Sequence, residues 1–269
     1  MLGGRASAAP VRNRAGVPWG WALAGLLIGL ALALLAFAPA RWLTHQLSQN
    51  TGGTFQLNDA RGTVWRGSAR LMLTGGLGSK DAASLPTRVQ WKLLPGLTGA
   101  RLVAWSDCCT AQPLEAQIQL SLQGVSVTLQ DNTSTVPATL LAGLGTPWNT
   151  VQPQGQLQLR TQALNVQWQA GRMLIAGLAQ MEAASLSSRL STLRPMGSYR
   201  LTIRGGDVPT VELSTLQGSL QLVGTGQWVG SRLRFSGSAS AAPEHEAALS
   251  NLLNIIGRRN GPRSIITIG

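Results

Sequence analysis

The stretch EAQIQLSLQGVSVTLQ, Glu115–Gln130, decides the fold. Apolar side chains occupy even positions in its first half (Ala116, Ile118, Leu120, Leu122) and odd positions in its second (Val125, Val127, Leu129). Such alternation marks a strand with one apolar and one polar face. The parity changes at Gly124, and a one-residue slip would turn every following side chain to the other face. A tight turn or a bulge at that glycine keeps both apolar sets on one side.

The same rhythm extends outward. On the N-terminal side it runs through RVQWKLLPG (Val89, Trp91, Leu93) and ARGTVWRGSARLML, Ala60–Leu73. In the latter, Trp65 shares parity with Gly67, Ala69 and Leu71, so it is expected to pack over Gly67 and Ala69 in the first long strand, with Arg61 and Arg66 outward. On the C-terminal side the rhythm returns in GQLQLRTQ (Leu157, Leu159), NVQWQA (Val166, Trp168), SYRLTIRGG (Tyr199, Leu201, Ile203), GSLQLVGTG (Leu220, Leu222) and SRLRFSGSAS (Leu233, Phe235). About twelve to fifteen strands are expected.

Two stretches break the alternation. VPATLLAGLG, Val136–Gly145, reads as a short helix, and PEHEAALSNLLNIIGRRNG as a longer one whose Ala248, Leu252, Ile255 and Ile256 share a face. With 12% charged residues, 44% hydrophobic ones and 32 glycines in 269, the composition suits a turn-rich β-protein with a substantial core. The expected fold is mainly β: an N-terminal transmembrane helix, then a large, twisted, mostly antiparallel sheet shaped as an open trough or half-barrel, with one or two short helices. Its apolar face must be covered by helices, by the sheet itself or by a ligand.

Trp19 to Phe37 contains no charge. As a helix rising about 1.5 Å per residue it spans roughly 28 Å, the thickness of a hydrocarbon core. Arg5, Arg12 and Arg14 precede it and all ten acidic residues follow it, so the positive-inside bias places the short tail in the cytoplasm. The rival reading is a cleaved signal peptide ending at Ala36–Ala38, against which Pro39 directly after the cut and the length of the run both count. The expected organisation is a cytoplasmic tail (1–18), a transmembrane helix (19–38), a juxtamembrane segment (39–53) and a β-domain on the far side of the membrane (54–269), with a division into two similar halves meeting near 136–150 left open. The protein would be bitopic, with its bulk outside the cytoplasm.

Little in the chain points to catalysis. His45 and His245 are the two histidines; the first lies three residues after Trp42, the second between two glutamates at a helix start. Both read as surface residues. The carboxylates are scattered with no HExxH or DxD spacing, and GGLGSK puts Lys80 at the wrong distance for a phosphate loop. No catalytic residue, metal ligand or cofactor-binding residue is expected, so no cofactor and no enzyme activity.

The formal net charge of +12 favours anionic lipid headgroups or acidic proteins. Its arginines are dispersed through strands without a basic tract interleaved with aromatics, which argues against nucleic acid. Cys108 and Cys109 are adjacent and are the chain's two cysteines. A vicinal disulfide, free thiols and a bridge to another chain remain open.

Four stretches in order carry a resemblance: GTVWRGSA (Gly62–Ala69), VQWKLLPGLTGARLVAW (Val89–Trp105), GLGTPWNTVQPQGQLQL (Gly143–Leu159) and the terminal LSNLLNIIG with GPRSIITIG. Together they resemble the type II secretion system protein N family over most of residues 15 to 269. The resemblance marks Gly62, Trp65, Gly67, Trp91, Pro95, Gly143, Gly145, Pro147 and Trp148 as motif residues with structural roles. It implies an accessory component of the secretion machinery, anchored in the inner membrane and working in the periplasm. Its implied partners are subunits of the inner-membrane platform or the outer-membrane channel, and membrane lipid. Similar stretches occur in envelope proteins of the AsmA and TamB type, and the alternative is a lipid-binding or lipid-transfer trough. In that case Leu120, Trp91, Trp105 and Trp168 would face lipid.

Overall fold

The computed structural model describes residues 19–122, 124–169, 172–230 and 232–269. The tail with Arg5, Arg12 and Arg14 lies outside them. The chain forms two compact units, one ending at Ala38 and the other spanning Pro39–Gly269. The first contains α1 (Trp19–Ala36), an 18-residue helix with a mean hydropathy of 2.1 and no buried side chain. By length and composition it is compatible with a single membrane span.

The second unit opens with α2 (Ala40–Asn50). Eight strands follow: β1 (Phe55–Gly62), β2 (Arg66–Thr74), β3 (Ala82–Ser84), β4 (Val89–Gly96), β5 (Gly99–Trp105), β6 (Leu114–Ser121), β7 (Gly124–Leu129) and β8 (Asn132–Pro137). A 3₁₀ helix (Ala138–Leu144) and α3 (Trp148–Val151) precede β9 (Gln154–Gln169), β10 (Arg172–Ser187), β11 (Gly197–Gly206) and β12 (Thr210–Gly218). Then come β13 (Leu220–Val229), β14 (Arg232–Ala241), a 3₁₀ turn (Pro243–His245), α4 (Glu246–Ile256), β15 (Arg258–Asn260) and β16 (Arg263–Ile268). These strands form one 16-stranded antiparallel sheet in the order β1-β2-β4-β5-β6-β7-β9-β10-β11-β12-β13-β14-β16-β15, with β3 beside β2 and β8 beside β9.

The parity switch at Gly124 is a hairpin: Ser121 pairs with Gly124, Leu120 with Val125 and Ile118 with Val127. Directly paired residues share a face of the sheet. The apolar set therefore continues from Ile118 and Val127 through Val166 to Ile175, and further on from Leu157 through Ala183 to Tyr199. The opposite face is polar and cross-linked by side chains. Asn165 donates to Thr128 Oγ1 (2.6 Å) and Ser126 Oγ (3.1 Å), and Arg200 pairs with Glu182 (2.8 Å).

The long strand β9 serves two neighbours. It pairs with β8 through Gln156–Thr161 and with β7 through Asn165–Gln169. Between them Ala163 takes a positive φ of 46°, and its N–H donates to Asp131 Oδ1 at 2.7 Å. This bulge absorbs one residue, so Thr161 and Val166 face the same side. Residues 138–151 are thus an excursion from the sheet, and β7 is hydrogen-bonded directly to β9.

Antiparallel neighbours send successive turns to alternate ends of the sheet. Short connections link β4 to β5, β6 to β7, β9 to β10, β11 to β12 and β13 to β14 at one end, called here the hairpin end. The longer connections, including both 3₁₀ segments, α3 and α4, gather at the other, the closed end. There Leu157, Ala183, Tyr199, Leu220 and Ala239 from the sheet pack against Leu249, Leu252, Leu253, Met196 and Val151.

Two expectations need correction. The buried stripe of α4 is Leu249, Leu252 and Leu253, while Ile255 is exposed. Spacings of three and four from Leu249 put these residues, with Ile256, on one side of the helix. Trp65 is outside any strand, half-buried in the turn between β1 and β2.

Candidate functional site

The motif residues collect in two places. Around the β1–β2 turn, Gly67 pairs with Trp91, and a Cβ on Gly67 would lie 2.4 Å from Trp91 Cζ2. Glycine is required there because the indole lies against the backbone. Trp91 is 4% exposed, packs with Ala40 and Ala69, and donates from Nε1 to the carbonyl of Val64 at 3.0 Å. Trp91 therefore holds the position expected for Trp65, whose carbonyl accepts from Leu93 N–H at 2.7 Å. In-strand parity misassigned Trp65 because the turn interrupts the alternation.

Gly62 ends β1 opposite Gly67. Pro95 pairs with Ala100 on the β5 side. On the other side β2 pairs with β4 only as far as Lys92, and the N–H of Leu93 is taken by Trp65, so the missing N–H of Pro95 costs no ladder bond. A clip that sequence reasoning missed holds the β1 bulge: Arg88 donates to the Asp59 carboxylate and to the Ser68 carbonyl (3.1 Å). The Arg88 hydrogen bond, assisted by the charges of Arg61 and Arg88, holds the Asp59 carboxyl below its usual range despite the opposing effect of desolvation.

The second group lies at the closed end. A Cβ on Gly143 would come 2.3 Å from the Leu73 carbonyl, so the 3₁₀ segment sits directly on β2. Gly145, with φ of 81°, terminates it. Pro147 precedes α3 as its N-cap, Trp148 is partly exposed, and Asn149 donates to Asp81 Oδ2 at 2.9 Å. Cys108 and Cys109 are disulfide-bonded to each other in the β5–β6 connection, and Cys109 packs with Leu85 and Leu140. The Cys109 carbonyl accepts from Thr135 N–H at 2.8 Å, tying this loop to β8.

No group of three or more His, Cys, Asp or Glu residues positioned for a metal occurs among the described residues. His45 is paired with Gln49 Nε2 at 2.9 Å, and His245 Nδ1 stands 3.8 Å from Glu244. Burial pushes the Tyr199 phenol upward in pKa, and its hydroxyl donates to the Leu220 carbonyl at 3.1 Å, a structural contact.

What the helices leave uncovered is the apolar face towards the hairpin end. Leu120, Val125, Trp168 and Met173 are paired side by side across β6, β7, β9 and β10. Leu120 is 61% and Trp168 48% exposed. The expected lipid-facing set divides here. Trp91 shares this face but is buried beneath α2. Trp105 neighbours Ala104, the partner of Trp91, so it points to the polar face, where Lys92 Nζ lies 5.3 Å from its ring centre. A shallow cleft also opens on this end beside Val211, Phe235, Arg234 and Ile268.

Among the described residues these observations define a class: one helix long and apolar enough to cross a membrane, and a single large, open antiparallel sheet with an apolar face left partly uncovered and a polar face cross-linked by side chains. Within that class the chain belongs to the type II secretion system (T2SS), protein N family, whose model matches residues 53–266. Membership gives it a role in type II secretion. No curated protein and no solved structure matches the chain.

Proposed function

We propose that the protein is an accessory component of the type II secretion machinery that helps assemble or stabilise the complex through protein–protein contacts. Its apolar helix anchors it in the inner membrane, with the N-terminal tail cytoplasmic and the sheet in the periplasm. The family match over residues 53–266 carries this reading. The three arginines before the helix support the orientation. An uncovered apolar row containing Leu120 and Trp168 supports a contact role, since such patches on soluble surfaces mark interaction sites. The partners are subunits of the inner-membrane platform or the outer-membrane channel.

Cross-linking in cell envelopes, followed by identification of the neighbours, tests this. Recovery of those subunits is expected, and deletion of the protein should lower secretion. Neighbours drawn only from outside the secretion system would overturn it.

A second reading has one observation in its favour: the same row, Leu120–Val125–Trp168–Met173, is a continuous apolar strip able to lie along an acyl chain. Stoichiometric phospholipid recovered from the purified protein, without secretion subunits, would favour that lipid-binding trough.

A further inference from the structure

The hairpin end combines three features. First, its turns present apolar side chains to solvent: Leu97, Leu122, Val208 and Val229 lie in or beside four of the five turns, and Leu97 and Leu122 are fully exposed. These are single residues on separate hairpins. Such tips present separate apolar groups along one edge of the sheet.

Second, charge near these turns is mostly positive. Lys92, Arg101, Arg172, Arg204, Arg232 and Arg234 lie within about five residues of a turn, against Asp207 and Glu212. Tryptophan is also present at this end: Trp168 near one turn, Trp228 paired with Leu233 near another, and Trp65 in the β1–β2 turn. Apolar tips, a basic surround and tryptophans at the same level make up the chemistry of a lipid–water interface.

Third, the chain enters the sheet at this end. The backbone of Pro39 bridges Thr63 in the β1–β2 turn, and α2 then leads away to Gly53, whose carbonyl accepts from Thr74 Oγ1 at the closed end. The apolar helix ends at Ala36, three residues before Pro39. Trp42, in the first turn of α2, is exposed.

We infer that the hairpin end is a membrane-contact surface: its turns rest on, and insert Leu97, Leu122, Val208 and Val229 shallowly into, the anionic bilayer that α1 crosses. This rests on the anchor in the proposed function but on none of its protein partners. The bilayer is favoured over a protein because the apolar tips are dispersed along an edge with mostly positive charge nearby, and because the chain joins that edge at Pro39, three residues after the apolar helix ends.

The test uses the full chain reconstituted in vesicles of phosphatidylethanolamine and phosphatidylglycerol. A photoreactive side chain replaces Leu97, Leu122 or Val208 in turn, and Leu77 serves as control because it is likewise apolar and exposed but lies in the β2–β3 connection at the closed end. All four positions are surface sites, so folding is not at stake. Phospholipid adducts are expected several-fold more often from the three tips than from Leu77, and less often when phosphatidylcholine replaces the anionic lipid. Equal labelling at Leu77, or adducts only to a second protein copy, would overturn the inference. Resistance of the same samples to alkaline extraction is measured in parallel: extraction would remove the anchor on which the inference depends, whereas retention without tip adducts defeats the inference alone.

Discussion

The closed end and the hairpin end of this sheet are made from the same strands, yet they differ in almost every physical respect. At the closed end α4 lays Leu249, Leu252 and Leu253 on Leu157, Tyr199, Leu220 and Ala239, and buried hydroxyls are satisfied, as where Ser264 donates to the Leu253 carbonyl at 2.6 Å. At the hairpin end the same apolar face carries Leu120, Val125 and Trp168 into the open. The sheet's alternation continues through both, so strand patterning sets the apolar face while the connections decide how much of it is covered. The larger helix-covered core thus lies at one end, and the uncovered apolar surface at the other.

Substitutions at the two ends sharpen this contrast. The largest effect is expected for Leu253→Ala, whose side chain has 0% exposure; a loss of about 2–5 kcal/mol follows from the lost burial and the cavity left behind. A thermal melt of the full chain in detergent reads it as a large drop in Tm. Gly143→Ala comes next. Its Cβ would meet the rigid Leu73 carbonyl at 2.3 Å, and overpacking of this kind costs about 1–3 kcal/mol. The same melt should show an intermediate drop.

The Asp59–Arg88 clip is half-exposed and its effect is smaller still, but it carries a signature in pH. The folded carboxyl lies below the ordinary aspartate value of 3.8, so its stabilising contribution is present above that value and is lost as pH falls through the lower folded pKa. Asp59→Asn should therefore lower Tm slightly near neutral pH, and its difference from the unsubstituted protein should disappear in acid. A gap that widened on acidification would contradict the Arg88 assignment. Smallest of all is the joint change Leu97→Ser and Leu122→Ser, expected to leave stability within about 0.5 kcal/mol because exposed side chains at turns bury nothing. A Tm loss as large as that of Leu253→Ala would erase the distinction between the ends.

Much of this architecture was legible in the residues. The hairpin at Gly124, the alternating strands from Val89 onward and the helix after Pro243 follow from periodicity and turn chemistry alone. Trp65 was misread because parity was carried through a turn, and only the pairing of Gly67 with Trp91 shows which indole fills that place. Trp105 and Trp91 are fourteen positions apart with both in strands, and their faces depend on the β4–β5 register, which the turn geometry fixes and the composition does not. The Arg88 clip joins residues 29 apart, a contact no local pattern signals. The uncovered row at Leu120 and Trp168 was legible as an apolar face; that α4 stops short of it was not, since helix placement follows from tertiary packing.

Amide hydrogen exchange on the full-length protein tests the contrast between the ends most directly. Amides of β9, β11 and β14 around Leu157, Tyr199 and Ala239 should exchange slowest, while those flanking the turns near Gly99, Gly124 and Arg172 in the same detergent should exchange fastest, because local opening requires less buried area to be lost there. Protection that is uniform along each strand, or greatest at the hairpin turns, would contradict the account.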